Sequence, residues 1–206
     1  MNLSPLEIDA LTELVNIGVG RAASSLSDII GEHVVLKVPH VDVLPLKELP
    51  AVMTQFNNKK HSLVLQSFQG DFTGTSALVF PPESAIRLVS ALTGGEMDSP
   101  KLDLVRSGTL IEIGNIVINA ILGTMGNMLD CDFIFSLPEF REIKRLTDII
   151  ESDDAEKKSG FIMLAEANFN ISSLEIQGFI VIIFKLDSLN NLVAMIKKSI
   201  GKSDAT

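Results

Sequence analysis

The chain carries one pattern twice, and this repetition limits its possible folds more than any other feature of its 206 residues. Residues 13–18 read E-L-V-N-I-G and residues 112–117 read E-I-G-N-I-V. Glu13, Asn16 and Pro39 map onto Glu112, Asn115 and Pro138 with one constant offset. The surrounding pattern repeats too. In the first half a helix is expected over about 6–30, with apolar Leu11, Leu14, Val15, Ala22, Leu26 and Ile29 at helical spacing. Strands follow over 33–44, 62–68 and 74–80, then a helix over 83–93 that starts after Pro81-Pro82 and stops at Gly94-Gly95. The second half gives a helix over 103–129, strands over 131–138, 160–169 and 174–184, and a last helix that Asp187 or Ser188 can cap.

Each half alone would leave a three-stranded sheet with open edges. The expected fold is therefore α+β: helix–three strands–helix, twice, around one central, mainly antiparallel six-stranded sheet with pseudo-twofold symmetry. The 206 residues would form a single domain of two repeats, about 6–96 and 104–200. Strands apolar on both faces, such as Val181-Ile182-Ile183-Phe184, call for a sheet covered on both sides. Residues 57–60 read as a hairpin turn, the charged stretch 147–159 as a solvated loop, and 201–206 as a frayed tail.

Composition narrows the function classes. A net charge of -9, with no Trp and no Tyr, argues against nucleic acid, whose partners present basic and often aromatic surfaces. No uninterrupted apolar run reaches the roughly 18 residues of a membrane span, and the first residues lack the basic start of a secretory signal. One cysteine, Cys131, excludes an internal disulfide. These features favour a cytoplasmic protein without a membrane partner. His33, His40 and His61 are isolated in sequence and form no ligand set, and no Ser-His-Asp set or phosphate-cradling glycine loop stands out.

On a wheel of about 100° per residue, the first long helix buries Leu11, Val15, Gly18, Ala22, Leu26 and Ile29. Asp9, Glu13, Asn16 and Gly20 share the opposite face. The second helix buries Leu110, Gly114, Val117, Ile121, Met125 and Met128, and turns out Glu112, Asn115, Asn119, Gly123 and Gly126, with Gly108 in the place of Asp9. Solvated helix faces usually carry long charged side chains. Interior glycine costs roughly 0.8–1 kcal/mol relative to alanine, but bare backbone lets another protein come close. An asparagine cannot act as a base, though its amide can orient a water. A glutamate can be a base or an ion-pair partner. Such a face needs a partner to complete its chemistry.

The order Asp, three residues, Glu, two residues, Asn, 22 residues, Pro at Asp9, Glu13, Asn16 and Pro39 resembles the signature of the CheC/CheX/FliY family of chemotaxis phosphatases. The second copy supplies Glu112, Asn115 and Pro138 but has Gly108 first, with Ser107 one residue early. The resemblance spans about 5–200. Two motifs in this length are similar to CheC, whereas CheX carries one motif and FliY an extra switch domain that these residues do not include. The resemblance implies a phosphatase for the phosphoaspartate of a CheY-like receiver domain. Asn16 and Asn115 would orient the attacking water, and Glu13 and Glu112 would pair with the receiver's lysine. Asp9, Gly20, Asn119 and Gly123 would complete the docking face, and Pro39 and Pro138 would set strand geometry. It implies no cofactor of its own, with Mg2+ brought by the receiver. Gly108 leads us to expect the first site to be the stronger. A non-catalytic adaptor for receivers or a CheD-like deamidase, and a flagellar-switch component, are the alternatives. The internal pseudo-symmetric partner suggests a monomer.

Overall fold

The computed structural model describes residues 3–48, 59–93, 102–145, 148, 160–171, 174–185, 188 and 191–197. The turn expected at 57–60 lies partly outside these residues. The helix stop at Gly94-Gly95, the cap at Asp187, most of the 147–159 loop and the 201–206 tail lie outside them.

Helix α1 (Pro5–Ile30) starts on a capping box written in the sequence as Ser4-x-x-Glu7. Ser4 Oγ accepts from the Glu7 N–H, and Glu7 Oε2 accepts from the Ser4 N–H at 2.6 Å. Glu7 is buried and also pairs with Lys197 at 2.9 Å. The Ser4 backbone bond first, and Lys197 after it, hold the Glu7 carboxyl below its ordinary range. Helix α1 ends at Gly31 in the left-handed conformation (φ 72°). Asp130 has φ 56° at the corresponding end of α3 (Leu102–Leu129), a conformation Asp tolerates better than most residues.

Between and after these helices come β1 (Val34–Lys37), β2 (Val41–Pro45), β3 (His61–Gly70), β4 (Gly74–Phe80), α2 (Pro82–Thr93), β5 (Phe133–Phe135), β6 (Glu139–Ile143), β7 (Phe161–Ile171) and β8 (Leu174–Phe184). Residues 191–197 are helical. The single strand expected over 33–44 is two strands, broken at Pro39, while the one expected over 131–138 is only β5, with β6 following Pro138 beyond the expected bounds. Proline has no N–H for the ladder, so each chain leaves its partner and then rejoins the same one. Thus β1 and β2 both pair with β7, and β5 and β6 both pair with β3. Eight strands therefore fill six rows in the order β1/β2–β7–β8–β4–β3–β5/β6, all antiparallel.

This order reads the same from both ends when β1–β4 are exchanged for β5–β8, which places the pseudo-dyad between β4 and β8. The edge rows are exchanged: the first half's β1 and β2 lie on the second half's β7, and the second half's β5 and β6 lie on β3. The two halves interlock.

The main core lies between the sheet and the helices, with Leu11, Val15, Leu110, Val117, Phe68, Phe169 and Leu192 among its members. A smaller cluster on the other face includes Leu63, Val79, Ile162, Phe179 and Val181. The strands are apolar on both sides because both faces are buried. Residues 104–129 of α3 have the length and hydropathy of a membrane span, but half of that stretch is buried in the protein's own core. Two residues of the expected buried stripes are not buried: Ile29 is 63% exposed and Met128 48%. Both sit in the last turn of their helices, where the neighbouring Ile30 and Leu129 face the core instead.

Candidate functional site

Glu13 and Glu112 are exposed on α1 and α3, and Asn16 and Asn115 are half-buried one turn further on. Neither glutamate has a hydrogen-bond or ion-pair partner among the described residues. Asp9 and Gly20 are exposed, and Asn119 and Gly123 half-buried. A side chain at Gly20, Gly108 or Gly123 would meet open space. Gly18 and Gly114 differ: a Cβ at Gly18 would run into Ile121 backbone, and one at Gly114 into Val64. Gly126, expected outward, is buried instead, because a Cβ there would press on the Cys131 carbonyl and the Phe133 ring.

The two asparagines are held differently. Asn16 Nδ2 donates to the Val38 carbonyl at 2.8 Å, and Asn16 Oδ1 accepts from the Val38 N–H at 3.0 Å. The 22-residue spacing thus acquires a physical meaning. A residue before proline is confined to extended geometry, and Val38 before Pro39 offers both backbone groups to one amide. Asn16 keeps a single Nδ2 hydrogen beyond this tie.

Asn115 has no such bond to Leu137, whose side chain is 86% exposed where Val38 is 2%. The segment before Pro138 is fastened to β3 instead: Ser136 N–H donates to Ser67 O, Ser136 Oγ accepts from Ser67 N–H, and Ser136 O accepts from Gln66 Nε2. Asn115 Oδ1 accepts from Asn119 Nδ2 at 2.7 Å. Its own NH2 donates to no described residue. Gly108 leaves the start of this second face open. By this geometry the Asn115 NH2 is the more available of the two amide donors.

The remaining candidates have ordinary surroundings. His61 is buried against Lys59 O, with burial first lowering its pKa. His40 pairs with Asp42 on the surface. Cys131 touches Leu129 O and Met195 Sδ. Burial, then the nearby acidic residues, raise its thiol pKa, so it stays protonated and is a poor nucleophile. Among the described residues no three His, Cys, Asp or Glu gather as a metal site. The Asn16–Val38 tie was the detail that sequence reasoning missed. The interval between asparagine and proline did not signal it, since Asn115 and Pro138 share that interval without the tie.

Residues 6–41 match the model of the CheC-like family, a stretch that holds the whole first motif. The chain is 27% identical to CheY-P phosphatase CheC of Bacillus subtilis over 136 residues, 65% of each chain. It is 22% identical to flagellar motor switch phosphatase FliY of Bacillus subtilis over 201 residues, 96% of this chain and 51% of that one. The chain thus spans less than two thirds of these curated relatives. Its fold is that of Thermotoga maritima FliY (TM-score 0.75, 19% identity, 97% of this chain and 100% of that one). The middle domain of FliM from H. pylori shares it (TM-score 0.63, 13%, 94% and 99%). So does CheX in the CheX-CheY-BeF3-Mg complex of Borrelia burgdorferi (TM-score 0.52, 16%, 84% and 98%).

Proposed function

We propose that the chain is a member of the CheC/CheX/FliY family, whose members it resembles, and that it is a cytoplasmic phosphatase that hydrolyses the phosphoaspartate of a CheY-like receiver domain in chemotaxis or related two-component signalling. The observation that supports this reading is the duplicated face itself. Each long helix offers a glutamate without a partner among the described residues and, one turn on, an asparagine amide, among glycines that leave room for a partner. The Borrelia burgdorferi neighbour was captured with CheY and Mg, the kind of partner this face suits.

In this mechanism Glu13 or Glu112 pairs with a receiver lysine and sets the register. The asparagine amide enters the receiver site and fixes a water in line with the phosphorus. The water oxygen bonds to phosphorus, the bond to the aspartyl oxygen breaks, the carboxylate leaves, and the water's proton passes to phosphate or solvent. Mg2+, expected to be held by the receiver, would offset charge on the phosphoryl oxygens. An acyl phosphate hydrolyses unaided, so the helix face has little to supply: each tenfold gain needs about 1.4 kcal/mol, within reach of one oriented amide.

A second reading, a docking adaptor without hydrolysis, is favoured by the Asn16 tie, which gives that amide a structural task. A phosphorylated CheY-like receiver with Mg2+ separates the two. The phosphatase reading expects the wild-type chain to speed loss of label at substoichiometric concentration. Binding with unchanged decay would leave only the adaptor.

A further inference from the structure

Asn119 lies one turn beyond Asn115 on α3, at the position that corresponds to Gly20 in the first half. Its Nδ2 donates to Asn115 Oδ1 at 2.7 Å. Its own Oδ1 is buried and has no partner among the described residues. The first half has no side chain at this place, and there the Val38 backbone holds the motif asparagine. Each half fixes its amide, by different means.

The Asn115–Asn119 bond also fixes which end of Asn115 faces out. With both amides turned over, Asn119 would bury an unpaired NH2 in place of an unpaired oxygen. Orphaned N–H groups are tolerated less well than under-satisfied carbonyls. The settled arrangement anchors the Asn115 oxygen to the helix and leaves its two N–H bonds for a visiting oxygen atom. An anchored amide has already lost the rotation about its side-chain bonds that a free one must give up on reaching the transition state.

We infer that Asn119 is a positioning residue for the second site, holding the Asn115 amide so that its NH2 faces the water or phosphoryl oxygen of a docked receiver. This rests on the phosphatase reading. Asn119 acts through Asn115 and touches no substrate atom. Its loss should therefore lower kcat and leave KM nearly alone, since docking runs through Glu112.

The test uses the full chain carrying Asn16→Ala, so that decay of the phosphorylated receiver reports the second site. Asn119→Ala removes the side chain without adding charge. Asn119→Asp keeps its size and shape but, ionised, has no hydrogen to donate. Both should lower kcat roughly five- to tenfold with KM within about twofold. In the otherwise wild-type chain, Asn119→Ala should also move the side-chain amide NMR signals of Asn115, which does not require turnover. An active parent whose kcat survives both substitutions, or an unmoved Asn115 signal, overturns the positioning role alone. A wild-type chain that leaves receiver decay unchanged overturns the phosphatase reading, and this inference falls with it.

Discussion

At the scale of the residue, the two asparagines of one repeated motif make different hydrogen bonds. Asn16 makes two hydrogen bonds to the Val38 backbone, where the chain leaves β7 to pass Pro39. Each such bond contributes about 1 kcal/mol net, and Val38 is buried. Asn16→Ala should therefore lower unfolding free energy by about 2 kcal/mol, whereas Asn115→Ala, whose bond stays within α3, should cost under about 1 kcal/mol. Urea titrations of the two variants check this, and equal losses would show that the Val38 tie does not hold in solution. The motif residues and their spacing were legible in the sequence. The difference between the copies was not, because it depends on where Val38 and Leu137 sit, and a backbone partner leaves no side-chain signature.

At the scale of the element, the glycines of α1 divide into two kinds. Gly18 lies where a methyl group would meet Ile121 backbone, and Gly20 faces open space. Alanine gains roughly 1 kcal/mol of helix propensity over glycine. At Gly20 that gain should appear as raised stability, together with weaker receiver binding if the bare backbone serves docking. At Gly18 the clash should reverse it, with a net loss of about 1–3 kcal/mol typical of overpacking. Thermal melts of Gly18→Ala and Gly20→Ala decide the matter, and two variants shifted the same way would contradict the division. Helix periodicity located α1 and α3 to within a residue or so, and β4 and β8 had the expected bounds. The break at Pro39 escaped because Val34-Val35-Leu36 and Val41-Asp42-Val43 are both strand-like, and only the missing N–H of the proline separates them.

At the scale of the whole molecule, the duplication was legible but the exchange of edge strands was not. Pairing of β1 and β2 with β7 joins residues far apart in the chain, and no local pattern encodes it. The FliM middle domain and CheX share the fold, so the fold by itself does not carry the proposed activity. The proposed catalysis rests on the Glu–Asn pair on each long helix. The most direct measurement is therefore the decay of a phosphorylated CheY-like receiver in the presence of the Asn16→Ala/Asn115→Ala double variant, with binding followed in parallel. The account predicts that the double variant still binds through Glu13 and Glu112 while decay returns to the receiver's own rate. Decay as fast as with the wild-type chain would contradict it.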